Sequence, residues 1–293
     1  MTAGRRARSK THHKPGFHRR RGRKPAMSRI DDIFRQLRRE QKAALMPFVT
    51  GGYPSLETTR EVLPALERAG ASIVEIGFPF SDPIADGPVI AASMYESLQR
   101  GTTPSGLFEC VASLRESLSL GLIAMVSESI VWRIGTDEFV QRAAEAGFDG
   151  LIVPDMDPDD ANDLYAAVEK ADLALSLLIA PTSSEARIRK LVARCRGFVY
   201  LLARVGITGE SDHTPEIAGQ VERLRAMTDL PIAVGFGVSR PEHVRAVTQH
   251  ADAAIVGSAL VRRMGEADDP AGAAETFVRE LVTGLATPSH SAS

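Results

Sequence analysis

The sequence predicts an α/β protein built as a (β/α)8 TIM barrel. Three observations carry that expectation. The 293-residue chain is 44% hydrophobic, and one such barrel takes about 250 residues. Eight short apolar runs punctuate it: ALMPFVT (44–50), SIVEIGF (72–78), GLIAMV (121–126), DGLIVP (149–154), LALSLLI (173–179), FVYLLA (198–203), PIAVGF (231–236) and AAIVGS (253–258). The stretches between them, such as LETTREVLPALERAGA, DEFVQRAAEAGF and PEHVRAVTQHA, have helical spacing with Gly or Ala near their ends. Continuous apolar strands alternating with helices imply a parallel sheet covered by helices. Eight such units favour closure into a barrel over a doubly wound open sheet.

Residues 1–28 hold ten Lys/Arg and no Asp or Glu. Lacking an apolar periodic face, this basic tail is expected to be disordered. It has no apolar h-region of a secretory signal, and its Arg-Arg run lacks a twin-arginine context. Three origins stay open: an extension ahead of a natural start at Met27, a solvated tail that touches polyanions, or an Arg-rich transit peptide. The remainder carries 25 basic against 37 acidic residues, a net of −12. An acidic body does not suit a nucleic-acid binder.

Next, SRIDDIFRQLRREQKA reads as an extra amphipathic helix ahead of the barrel. Ser28 is its N-cap, and Ile30, Ile33, Phe34 and Leu37 share one face. The barrel domain spans 29–285, and residues 286–293 are expected to fray. Cys110 and Cys195 lie far apart with no CxxC, which points to a reducing compartment and a cytoplasmic protein. No run approaches the ~18 apolar residues of a membrane helix.

In this fold, chemistry sits at the C-terminal ends of the strands. The second run is therefore informative: VEIGFPFSDPIADGP (74–88). Val74, Ile76 and Phe78 share one face of the strand, which should pack on helices. Ile73, Glu75 and Gly77 share the other, which should face the barrel interior. A carboxylate there is desolvated, its pKa rises, and it suits general acid/base work. The bland alternative is an ion pair with a structural Arg or Lys, yet the runs offer none before their ends. In the following loop, Asp82 and Asp86 are acceptors for a substrate N–H or caps for a helix starting near Pro88.

Runs seven and eight end in GFG and VGS, and the latter opens a helix, SALVRRM. Barrels often hold a phosphate there. Backbone N–H groups of Gly237, Gly257 and Ser258, with the Ser258 hydroxyl, are the candidate donors; glycines that merely end strands are the alternative. GITG (206–209) reads as a mobile lid with glycine hinges. The histidines show no ligand spacing, so no metal is expected. There is no GxSxG and no Walker A.

From about Ile30 to Met264 the chain resembles the tryptophan synthase alpha subunit family. The pieces that carry the resemblance are MPFVTGGYP, VEIGFPFSDPIADGP, GLIVPD, APTSSEARI, FVYLLARVGITGE, GFGVS and AIVGSALV, of which the second is the most specific. The resemblance implies a lyase that cleaves indole-3-glycerol phosphate to indole and glyceraldehyde 3-phosphate. It implies that Glu75 shuttles the reaction's proton and that Asp86 accepts a hydrogen bond from the indole N–H. Phe48 and Tyr200 match pocket positions, and Thr208 and Gly209 match the lid. Gly235, Phe236, Gly237, Gly257 and Ser258 match the phosphate grip. It also implies a partner, the beta subunit that carries pyridoxal phosphate, in an alpha2beta2 assembly, with no cofactor on the alpha chain. One departure stands out. Where the family usually has a stretch close to M-T-Y-Y-N-P, this chain reads MVSESIVW (125–132), so Ser127 replaces the pocket tyrosine, Ser129 the asparagine, and Glu128 is new. In the family this segment lies near the beta-facing surface. Two other readings accompany the main one: a stand-alone lyase releasing free indole, and a non-catalytic phosphate-binding regulatory subunit.

Overall fold

Ser28 caps the first helix as its sequence requires. Its Oγ accepts from the backbone N–H of Asp31, and the Asp31 carboxylate accepts from the Ser28 N–H. This reciprocal box satisfies donors that a helix start otherwise leaves open. The computed structural model describes residues 28–82, 87–203, 217–235 and 237–285. The basic tail to residue 27, the Asp86 end of the β2 loop, the GITG loop, Phe236 and the C-terminal residues from 286 lie outside the described residues.

The strands are β1 (Ala44–Thr50), β2 (Ile73–Gly77), β3 (Gly121–Met125), β4 (Gly150–Ile152), β5 (Ala174–Ser176), β6 (Leu178–Ile179), β7 (Val199–Leu202), β8 (Ile232–Gly235) and β9 (Ala253–Val256). The helices are α1 (Arg29–Arg39), α2 (Leu56–Arg68), α3 (Pro88–Gln99), α4 (Pro104–Leu114), α5 (Glu128–Ile134), α6 (Thr136–Ala146), α7 (Asn162–Lys170), α8 (Glu185–Val192), α9 (Ile217–Arg225), α10 (Pro241–Thr248), α11 (Ser258–Gly265) and α12 (Pro270–Val282). Every apolar run of the sequence is a strand. The fifth run supplies two, β5 and β6, separated by Leu177 alone.

All strand pairs are parallel, in the order β5-β4-β3-β2-β1-β9-β8-β7-β6. The two ends of that order are the halves of the interrupted fifth run. The first half pairs with β4 and the second with β7, so the ring closes through one strand. This is the (β/α)8 barrel, and its strands are buried on both faces, as their unbroken apolar character demands.

Side-chain alternation divides the core in two. Leu45, Val49, Val74, Ile76 and Phe78 belong to the layer between strands and helices. Phe78 is the centre of an aromatic group with Phe108, Phe139 and Phe148, at ring separations of 5.4–5.9 Å. Each such ring, taken wholly out of water, contributes roughly 1.5–3 kcal/mol, so the strand that bears Glu75 is anchored from outside. The interior layer contains Ala44, Met46, Ile73, Ile123, Ile152, Ala174, Phe198, Tyr200, Ala233, Ala253 and Ile255.

The predicted face of α1 closes the N-terminal end of the barrel. Ile30 and Phe34 join the interior layer, with Ile33 and Leu37 packed beside them. The fit is close: a β-carbon on Gly121 would lie 2.7 Å from Ile30 Cδ1. Two carboxylates at that end fasten the plug. Asp149 accepts from the Leu122 N–H at 2.8 Å and pairs with Arg29 and Arg115. Asp252 accepts from the Ile232 N–H at 2.8 Å and pairs with Arg225 and Arg38. Polar groups at this face serve stability, and the opposite end is left for chemistry.

Candidate active site

Glu75 lies in the middle of β2, in register with Phe48 on one side and Ile123 on the other. It is fully buried, and neither carboxylate oxygen has a hydrogen-bond partner among the described residues. Burial alone pushes its pKa up to about 8. No ion-pair partner for it is found among the described residues, and burial favours its protonated form. A buried, unpartnered carboxyl is costly in a structure that only folds. It is useful where a proton has to be given and taken back.

The wall around it is apolar. Phe48, Ile90, Met94 and Val261 form a buried cluster, with Tyr53, Val89 and Met125 packed against it. Ile90 and Met94 come from α3, and Val261 from α11. The sequence reading did not include these three; the i, i+4 spacing of Ile90 and Met94 just behind the β2 loop was the available signal. Gly77 makes room for the Phe48 ring: a β-carbon on it would sit 2.5 Å from Phe48 Cζ. Tyr200 faces the interior and is buried. A β-carbon on Gly235 would lie 2.9 Å from Tyr200 Oη, so glycine there leaves the phenol its place.

Gly257 is the N-cap of α11 and has no side chain to occupy the first-turn N–H groups. Ser258 begins the helix and is buried. A helix start presented in this way favours an anion. Gly237 follows β8, the strand beside β9, and has φ +95°, a conformation natural only to glycine. Gly235, Gly237, Gly257 and Ser258 thus gather at the ends of two adjacent strands. Asp86, Thr208, Gly209 and Phe236 lie outside the described residues. The cap of α3 is Gly87, with Pro88 in the first turn, so Asp82 does not hold the capping position.

A profile of the tryptophan synthase alpha chain family matches residues 34–287. The chain belongs to the tryptophan synthase alpha chain family. It is 45% identical over 252 residues to the tryptophan synthase alpha chain of Synechococcus sp. (strain CC9902), covering 85% of this chain and 94% of the relative. It is 41% identical over 265 residues to that of Thermosynechococcus vestitus, covering 89% and 98%. Among solved structures, Mycobacterium tuberculosis tryptophan synthase superposes with a TM-score of 0.83 at 33% identity, covering 88% of this chain and 98% of that one. The tryptophan synthase alpha subunit of Legionella pneumophila gives 0.82 at 32% identity, covering 88% and 98%.

Against that family, the departing MVSESIVW segment has a local role. Ser127 is the N-cap of α5. Its Oγ donates to Asp155 Oδ2 at 2.6 Å, and the Glu128 N–H donates to Asp155 Oδ1 at 2.8 Å. Ser127 therefore fixes a helix start. Trp132, on the same helix, is 81% exposed. Beside it opens a cleft of about 760 Å³, lined by Val131, Trp132, Val153, Ala161 and Leu164 among others. Val131, Val153, Ala161 and Leu164 belong to the outer layer, so this cleft is separate from the pocket around Glu75. Both cysteines are buried, and burial raises both thiols, Cys195 to about 12.

Proposed function

We propose that this lyase performs the retro-aldol cleavage of indole-3-glycerol phosphate to indole and glyceraldehyde 3-phosphate, as the alpha subunit of a tryptophan synthase. The observation that carries the reading is Glu75, buried without a partner and with a pKa of about 8. A protonated Glu75 gives its proton to indole C3, forming the indolenine, while Asp86 accepts the hydrogen bond of the ring N–H. The resulting carboxylate then takes the proton of the hydroxyl next to the ring. The bond between indole C3 and that carbon breaks, its electron pair returns to the ring, and the carbon leaves as an aldehyde. Glu75 ends protonated, as it began. A carboxyl whose pKa lies near the working pH is suited to both transfers.

The apolar wall of Phe48, Ile90, Met94 and Val261 supports a flat aromatic ring. Gly235, Phe236, Gly237, Gly257 and Ser258 hold the phosphate, each charge-assisted bond contributing ~1.5–3 kcal/mol. Thr208 and Gly209 close the site as a lid. Indole passes to a beta subunit that carries pyridoxal phosphate, in an alpha2beta2 assembly. The two cysteines, far apart with no CxxC, favour a cytoplasmic place of work; no helix among the described residues is long and apolar enough to cross a membrane.

The test is indole release from indole-3-glycerol phosphate by the purified chain, alone and then with a tryptophan synthase beta subunit. Slow release that rises on addition is expected. Fast release that ignores the beta subunit would identify a stand-alone lyase, and no release in either case would refute the reaction.

A further inference from the structure

The barrel lining holds a second buried polar side chain without a partner. Ser176 is 1% exposed, and its Oγ, like both oxygens of Glu75, has no hydrogen bond among the described residues. The other unpartnered side-chain atoms among the described residues have different settings. Arg115 and Arg196 make ion pairs through their remaining nitrogens, and Gln220 stands on α9.

The direction of Ser176 follows from its neighbours. Ala174 and Leu178 belong to the interior layer, while Leu175, Leu177 and Ile179 belong to the outer one. Alternation along the strand therefore turns Ser176 inward. Its place in the sheet follows from the register. Ser176 pairs with Ile152, Ile152 with Met125, and Met125 with Gly77. Ser176 thus shares a rung with the residue two positions beyond Glu75, toward the chemical end of the barrel. On that rung Gly77 has no side chain. A serine used only to fill space would be better replaced by alanine, because a buried hydroxyl left unpaired is unfavourable. The penalty is relieved only when a polar group enters the barrel.

We infer that Ser176 is a substrate-binding residue whose hydroxyl exchanges a hydrogen bond, directly or through one water, with the glycerol chain of the bound substrate. This rests on the reaction proposed above. The substrate's ring N–H, its phosphate and the hydroxyl next to the ring already have partners in that reading. The neighbouring hydroxyl of the chain does not, and Ser176 supplies the missing group.

The experiment compares wild type with Ser176→Ala for two ligands: indole-3-glycerol phosphate, followed by turnover, and indole-3-propanol phosphate, the same skeleton without chain hydroxyls, followed by equilibrium binding. The expected kcat/KM for the glycerol compound falls ~10-fold, the scale of one net hydrogen bond. Affinity for the propanol compound stays within two-fold, and the melting temperature is unchanged or higher. Unchanged turnover overturns the inference. So does an equal loss for both ligands, or a lower melting temperature, since each marks a structural role. If wild type binds indole-3-glycerol phosphate without releasing indole, the reaction proposed above falls; direct binding of the two ligands then still decides the role of Ser176.

Discussion

The Phe48 ring lies over Gly77, at the point where β2 delivers Glu75 to the pocket. A β-carbon built on Gly77 would be 2.5 Å from Phe48 Cζ and 2.7 Å from its Cε2. The missing side chain is therefore part of the site: it leaves space for the ring of Phe48, the register partner of Glu75. Gly77→Ala should push the ring off this seat and cost ~1–3 kcal/mol, the scale of overpacking a filled core. Urea unfolding measures that loss, and KM for indole-3-glycerol phosphate should rise as the displaced ring enters the pocket. A variant with wild-type stability and KM would mean that the ring moves freely.

Glu75 ties stability to pH with a definite sign. Its pKa is about 8 folded, against an ordinary value of 4.5. Between those values the folded state holds a proton that the unfolded state has lost, so stability falls as pH rises from about 4.5 to about 8. The full effect is on the order of 3–5 kcal/mol. Glu75→Gln should remove that slope and be the more stable form at pH 8, while turnover falls at least ~10²–10⁴-fold. Denaturant titrations at pH 5 and pH 8 with both proteins check the stability; parallel pH profiles would show that Glu75 is not the titrating group.

Much of this was legible before any coordinates. The runs became strands because a parallel barrel buries both faces of each strand, leaving unbroken apolar words in the sequence. Glu75 stood out for the same reason: one charge inside such a word has to be explained. The split of the fifth run at Leu177 was not legible, because ring closure depends on which neighbour each half meets, and LALSLLI has the same alternation throughout. The contribution of Ile90, Met94 and Val261 was also hidden. They look like ordinary helix-core residues, and only the tertiary arrangement brings α3 and α11 to Phe48. Asp82 had an open alternative as a cap, which Gly87 now fills.

Asp86 separates binding from folding in a similar way. Asp86→Asn removes the charge and keeps the side chain's size, and stability should change by less than about 0.5 kcal/mol. Turnover should fall ~10–100-fold, the worth of one charge-assisted hydrogen bond to the ring N–H. Steady-state kinetics beside a thermal melt tests this. A large drop in melting temperature with little change in kcat would return Asp86 to a structural role.

Gly237 is held at φ +95°. Gly237→Ala should cost at least ~1 kcal/mol of backbone strain and turn its N–H away from the phosphate. Affinity for sn-glycerol 3-phosphate, measured by calorimetry, should weaken ~10-fold or more. If strain appears in the melt and affinity does not move, the phosphate is held elsewhere.

Trp132 tests the partnership without touching the pocket. It is the chain's one tryptophan, it is 81% exposed, and α5 follows β3 on the face where the strands end. Its helix is fixed by the Ser127–Asp155 hydrogen bond at 2.6 Å, so truncating the indole ring should leave the fold within about 0.5 kcal/mol of wild type. A large apolar side chain held in water on a rigid helix is suited to anchoring another protein, where aromatic residues carry much of the binding energy. Trp132→Ala should therefore release indole at the wild-type rate when alone and gain less from an added beta subunit, with the concentration for half-maximal stimulation raised ~10-fold or more. Stimulation curves for the two proteins, run side by side, decide it: superimposable curves would place the partner's contact surface away from α5.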